Sequence, residues 1–574
     1  MVAPLWKIDE IRQHVAVVDG KVAPTLVLTN ARYLHSIFKT WLTANIWIYH
    51  DRIIYVGDKM PNNCEQVELV DCAGKTIVPG YIEPHVHPFQ LYGPDNFARF
   101  AGQSGTTTFL SDNLNFFLSL KNEQSFAILD RLNKMPYSFY WWARFDSQTE
   151  MPNEEEIFSS TRIIDWLSRD DVLLGGELTG WTRLIRGDDH MLSRLQLAKR
   201  MHKKVEAHLP GSSPRTLARL KLMGADGDHE AMTAEEVENR LHQGYGVTLR
   251  YSSIRPDLPQ LVEGIVAKQL QVFDHLMMTT DGSTPGFYEQ GIMDKCIQIV
   301  LDAGVAPIDA YHMASYNIAR YYDMTNLHGI IATGRFATLN ILQDEFTPTP
   351  VSVLSKGQWL KRDGETCYDG GITYPEFGEY ALDFSLTMDD FQFSTPVGIM
   401  MVNDVITKPY SVTLATDGAL ATTHDESYLL LIDRKGKWRV NTVIKGFATA
   451  VKGFASSYSN TGDIIVIGKN AQDMLHAFNE MKAMKGGLVV VEDGDVIASL
   501  PLQVNGSFSS DKVEVIIERE KKVREALATR GYEKGDAIYT LLFLMSTHLP
   551  YVRITPKGIY DVMKDKVLLP AVMR

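Results

Sequence analysis

The sequence predicts an α/β protein: a (β/α)8 TIM-like barrel, a small β-sandwich-like domain built from segments flanking the barrel, and an added C-terminal α+β domain. The first observation behind this is a run of eight short apolar segments alternating with helix-like stretches. They are TIVPGYIEPHVH, GTTTFLSDN, YSFYWWARF, DVLLGGEL, KVEAHLP, DGDHEAM, GVTLRYSS and VFDHLMMTTDG, between residues 76 and 282. Eight strands separated by helices is the count of a closed parallel barrel. The second lies outside it. LVLTNARYL and IWIYHDRIIYVG alternate around a His50-Asp51-Arg52 turn, as a β-hairpin does, and GIIATGRFATLNILQ later returns to strand character, rejoining the early β segment. The third is the change after about Phe384. There the strand-like runs SVTLAT, YLLLIDR, DIIVIG and GLVVVEDGDVIASL alternate with the helix-like AQDMLHAFNEMKAMK and VIIEREKKVREALA. The expected boundaries are residues 1–75 with 330–383, then 76–329, then 384–574.

Helix starts support the barrel. Thr233-Ala234-Glu235-Glu236 reads as a capping box, the threonine hydroxyl taking the amide three residues on while Glu236 reaches back. A single helix is expected over residues 307–322, after the eighth run.

Composition bounds the function. A chain of 574 residues should hold two or three domains, and 45% hydrophobic with 22% charged residues describes a globular protein. A net charge of −13 argues against a broad nucleic-acid or anionic-membrane surface. Cys64, Cys72, Cys296 and Cys367 form no CxxC pair, as expected of free thiols in a reducing compartment. The amino-terminal MVAPLWKIDEIRQHVAV lacks a cationic start with an apolar region, and a cytoplasmic location is expected.

The chemistry is written at the carboxyl ends of the barrel runs, where barrel enzymes place their active sites. His85 and His87 end the first, on one side of a strand because i and i+2 share a face. Glu177 ends the fourth, His208 the fifth, His229 the sixth and Asp281 the eighth. These are donors for first-row divalent metals. Six exceed what one open catalytic ion uses, so two ions are expected, Glu177 bridging them and Asp281 both ligating and moving the proton of an attacking water.

Plainer readings apply elsewhere. His202, His242, His275 and His312 fall on helical stretches or before a strand end and are set aside. Tyr140-Trp141-Trp142 reads as barrel packing, Glu230 as pointing away from the site beside His229, and the helix around Lys521 and Arg524 as a solvated face. Arg250 suits a substrate contact or an ion pair within the barrel. No GxxxxGK[ST] segment occurs.

PGYIEPHVH, the spaced Glu177, His208, His229 and Asp281, and the pair MASYNIARYYDM and GIIATGRFATLNIL resemble the amidohydrolase superfamily of metal-dependent hydrolases. DHEAMTAEEVENRL, VIKGFATAVKGFASS and GGLVVVEDGDVIASLPL are similar, more narrowly, to the adenine deaminase family and its added C-terminal domain. The resemblance runs from about Pro24 to the end of the chain. It implies two manganese or iron ions, with zinc compatible, held by His85, His87, Glu177, His208, His229 and Asp281, and the hydrolysis of adenine to hypoxanthine and ammonia. It also implies a homo-oligomer, a dimer or larger. The substrate shell departs from the family's pattern. Pro88-Phe89-Gln90-Leu91 follows HxH, Asp112-Asn113-Leu114 follows the second strand, Asp281-Gly282 stands for a paired aspartate, and Ser456-Ser457-Tyr458-Ser459-Asn460 replaces a histidine-containing segment. Gln90, Asp112 and Arg250 are the expected substrate contacts. A hydrolase acting on a cyclic amide or N-acyl substrate, and a non-catalytic barrel, stay open beside the deaminase.

Overall fold

The computed structural model describes residues 6–413 and 418–574. All eight barrel runs become parallel strands of one sheet: β1 (Tyr81–Val86), β2 (Thr106–Ser111), β3 (Ser138–Ala143), β4 (Val172–Leu178), β5 (Lys204–Ala207), β6 (Gly227–Asp228), β7 (Gly246–Arg250) and β8 (Leu276–Thr279). Their order in the sheet is their order in the chain. The seam between β1 and β8 is bridged by a side chain. Glu83, fully buried, accepts from Thr280 N at 2.9 Å and Thr280 Oγ1 at 2.7 Å and also takes the Thr279 hydroxyl.

The first expected run divides. Thr76–Pro79 leaves the barrel and pairs antiparallel with Leu339–Leu342, Ile77 opposite Ile341. That pairing joins the β segments before and after the barrel into one nine-stranded sheet, with Leu26–His35, Thr40–Tyr49 and Arg52–Gly57 on one side and Ser352–Ser355 and Gln358–Arg362 on the other. The helix expected over 307–322 is two helices, Pro307–Met313 and Tyr316–Tyr321. Ala314 O between them is taken by Ile82 N at 2.9 Å, and Ser315 Oγ bonds back to Tyr311 O at 2.6 Å. A carbonyl committed to β1 and a serine back-bond interrupt the helical ladder. The helix Ala234–His242 starts as expected, Thr233 accepting from Glu236 N, but Glu236 reaches Met232 N at 2.8 Å rather than the threonine amide.

The added region forms a second nine-stranded sheet. Strand Glu426–Ile432 shows why its apolar run is continuous. Tyr428, Leu430 and Ile432 face the helix Ala471–Ala483 through Met474, Ala477 and Phe478, while Leu429 and Leu431 belong to the core shared with the barrel. Both faces are covered, so period-two alternation vanishes. Of the expected strand SVTLAT, Ser411 ends a strand, 412–413 are irregular, and 414–416 lie outside the described residues, as do residues 1–5 of the amino-terminal stretch. Phe508–Ser509 pairs in parallel with Leu91–Tyr92, just after His85 and His87 at the end of β1, so the added region lies over the barrel mouth. Among the described residues no helix is long and apolar enough to cross a membrane.

Candidate metal centre

The carboxyl ends of five strands bring the expected ligands together. The Nε2 atoms of His85 and His87 are 3.2 Å apart, and Asp281 Oδ1 lies 3.4 and 3.2 Å from them. Glu177 Oε1 is 2.9 Å from His208 Nδ1, 3.5 Å from His229 Nε2 and 4.0 Å from His85 Nε2; its Oε2 is 3.9 Å from His87 Nε2. At this site three groups of donors could each hold a cation, their atoms within 4.8 Å of one another: His85, Glu177 and His229; His85, His87 and Asp281; His208, His229 and Glu230. His229 Nε2 is buried without a hydrogen-bond partner. Imidazole nitrogens that face one another and nearby carboxylates, rather than hydrogen-bond donors, form a set that a divalent cation satisfies.

Local backbone features aim these groups. Gly176 has φ 114° and a Cβ there would collide with Glu206 O, so only glycine lets β4 turn Glu177 inward. Gly282, at φ 59°, passes so close to β1 that a Cβ would sit 2.7 Å from His87 Cβ. It brings Asp281 over the histidine pair.

Charge around the centre is balanced by buried arginines. Burial opposes ionisation of Glu177, but Arg144, His208 and His229 outweigh it and hold the carboxyl well below the usual range. Burial likewise opposes ionisation of Asp281, and Arg250, whose Nη1 donates to Asp281 Oδ2 at 2.6 Å, overrides it. Burial, with His229 beside it, pushes the His85 imidazole well below its ordinary value. His85 also stacks on Trp142, centroids 4.6 Å apart, so this tryptophan packs beneath the ligands inside the barrel.

A cavity of about 550 Å³ opens above the ligands. Gln90 and Arg250 line it, Arg250 at the same time paired with Glu230 and Asp281. Asp112 stands elsewhere: its carboxylate faces His87 and Arg144, behind the ligands, both oxygens engaged. The expectation for Glu230 fails. β6 is only two residues long, so strand alternation ends before His229, and Glu230 turns inward to within 3.4 Å of His208 Nδ1. Sequence reading also passed over Arg144 and Glu206, charged residues inside apolar barrel runs, which contact Glu177 and His229 at 3.0 and 3.3 Å. Arg524, expected on a solvated face, is instead tied to Glu520, Asp536 and Thr284.

Comparison with known proteins agrees with this architecture. Residues 76–360 match the family described as "Amidohydrolase family", and residues 404–566 match "Adenine deaminase C-terminal domain". "Putative adenine deaminase YerA" of Bacillus subtilis (strain 168) is 50% identical, over 99% of each chain. "Putative adenine deaminase BH0637" of Halalkalibacterium halodurans is 51% identical, also over 99% of each chain. "Adenine deaminase" of Kosmotoga olearia is 26% identical, over 96% of this chain and 97% of its own. With relatives this similar along the whole length, and both parts of the chain matched, the protein belongs to the adenine deaminase family.

Proposed function

We propose that the protein is a metal-dependent hydrolytic deaminase converting adenine and water to hypoxanthine and ammonia, a reaction of purine metabolism. The observation that supports this most is the meeting of His85, His87, Glu177, His208, His229 and Asp281 beneath one cavity. These side chains would hold two ions, manganese or iron, and Glu177 presents its two oxygens to different histidines. When bound, such ions lower the pKa of a water toward ~7 and supply hydroxide at neutral pH.

The remaining work belongs to the chain. Asp281, kept ionised by Arg250, accepts the proton of the attacking water and returns it to the departing amine. Water oxygen bonds to carbon 6 of the purine, the carbon–nitrogen bond breaks, and the amine leaves as ammonia. Arg144 anchors Glu177, donating to its Oε2 at 3.0 Å, and the added region covers the mouth and limits access of bulk water. Gln90 and Arg250 are the barrel residues proposed to meet the substrate. The same reading makes the enzyme a cytoplasmic homo-oligomer, dimer or larger, and light scattering on the purified protein decides the assembly.

The test is a panel of adenine, related purines and cyclic amides incubated with manganese-loaded enzyme. Ammonia release with an ultraviolet shift from adenine supports the proposal. Ring opening of a cyclic amide without ammonia, and no reaction with adenine, would replace it.

A further inference from the structure

The cavity above the candidate ligands has walls of two origins. The barrel supplies Gln90, Arg250 and Ser283, and the added region supplies Asn460, Tyr539 and His548. Two of the latter have hydrogen-bonding capacity that the fold leaves unused. The Asn460 amide nitrogen donates to Leu542 O at 2.9 Å and meets Ser546 Oγ at 2.6 Å. A carbonyl oxygen only accepts, so this pairing fixes which end of the amide is which. Asn460 Oδ1 then has no hydrogen bond among the described residues, and the residue lines the cavity.

His548 makes no hydrogen bond among the described residues; its Nδ1 is buried, and its Nε2 is the ring nitrogen left open for a ligand in the cavity that the residue lines. Its ring stands edge-on to that of His208, centroids 4.9 Å apart, which puts it one ring away from the candidate metal ligands. A ligand that offers the complementary group to such an open acceptor or imidazole nitrogen gains a hydrogen bond there.

Resting on the deaminase reading, we propose that Asn460 and His548 form the specificity wall of the pocket. Asn460 Oδ1 accepts an N–H from a flat nitrogen heterocycle, and the His548 imidazole bonds a ring nitrogen of the same molecule. A carbonyl acceptor near an imidazole complements the mixed donor and acceptor pattern on the edges of an aminopurine. The barrel would then supply the reaction and the added region the choice of substrate.

The experiment measures binding and turnover separately on the metal-loaded full chain. His548→Phe keeps the ring and loses both nitrogens; His548→Asn restores one hydrogen-bonding group; Asn460→Ala removes the acceptor. Adenine affinity, by calorimetry, should fall about 10- to 100-fold in His548→Phe and in Asn460→Ala. KM should rise in parallel, with kcat changed less than about threefold and metal content unchanged, and His548→Asn should recover part of the loss. Wild type should also bind at least one of 1-, 3- and 7-deazaadenine about tenfold more weakly than adenine, a difference that His548→Phe erases. Unchanged adenine affinity in both His548→Phe and Asn460→Ala overturns the proposal even where ammonia is released, as does absence of purine binding by wild type. If His548→Phe loses metal or folded structure, His548→Asn and the deaza series decide: equal affinities throughout overturn it. Binding that depends on His548 without ammonia release keeps the wall and removes the deaminase reading.

Discussion

Asp112 Oδ2 accepts from His87 Nδ1 at 2.8 Å, while Arg144 Nε and Nη2 hold the two Asp112 oxygens at 2.7 and 2.8 Å. The carboxylate fixes the imidazole tautomer, so that Nε2 turns its lone pair toward His85 and Asp281. Removing such a partner costs 10- to 100-fold in metal affinity in comparable sites. Asp112→Asn should therefore weaken manganese binding by about 10- to 100-fold, measured by competition with a chelator. Affinity within twofold of wild type would show that Asp112 does not govern His87.

Asp281 divides its two oxygens between an arginine and the histidines: Oδ2 accepts from Arg250 Nη1 at 2.6 Å, and Oδ1 turns to His85 and His87. An asparagine there can keep an oxygen toward the histidines, giving up the hydrogen bond from Arg250, but cannot take a proton. Asp281→Asn is expected to retain metal by elemental analysis and to lower the rate of ammonia release by about 10²- to 10⁴-fold. Near-normal turnover would remove Asp281 from proton transfer.

The barrel was legible because each strand is a short apolar run ended by a polar residue, and the rule that chemistry sits at carboxyl ends picks out His85, His87, Glu177, His208, His229 and Asp281 from the sequence. What stayed hidden depends on distance in the chain. Asp112 resembles a pocket residue until Arg144, 32 positions on, is seen to occupy it. Glu230 was misplaced because β6 is too short for alternation to reach it. Asn460 was marked only through the segment 456–460 that departs from the family's pattern, and His548 carries no local signal, since tertiary packing of the added region sets it over the barrel. Thr76–Pro79 and Tyr81–Val86 read as one strand although they serve two sheets, because both are apolar and β-prone.

Arg524 joins the added region to the loop that follows Asp281. It donates to Glu520 Oε1 at 2.7 Å and to Thr284 Oγ1 at 2.9 Å and pairs with Asp536, whose Oδ2 also accepts from Thr284 Oγ1 at 2.8 Å. Glu520 and Asp536 are almost fully buried, so removing the arginine leaves two neighbouring carboxylates without their cation. Arg524→Ala should destabilise the chain by roughly 3 kcal/mol, near the low end for a broken buried pair because the arginine is partly exposed. Arg524→Lys should restore part of it. Denaturant unfolding of the three proteins checks this, and equal midpoints would return Arg524 to a solvated face.

His328 sits inside the barrel away from the candidate metal ligands, its Nε2 2.9 Å from the Tyr140 hydroxyl and its Nδ1 3.4 Å from Thr108 Oγ1. Burial, with the charges of Lys356 and Arg52, pushes its pKa down to about 3 from 6.5. The folded chain therefore holds it neutral while the unfolded chain protonates it below 6.5. Unfolded molecules bind the extra proton between those values, so stability contributed by the neutral imidazole is complete above 6.5 and drains away as pH falls toward 3. A glutamine of similar reach has no proton to gain. His328→Gln should be less stable than wild type at pH about 7, and the gap should narrow by about 1.4 kcal/mol for each unit of acidification within the window. Thermal unfolding of both proteins between pH about 7 and about 4.5 measures it. A gap that stays constant across that range would mean His328 is already protonated in the fold or remains neutral in the unfolded chain.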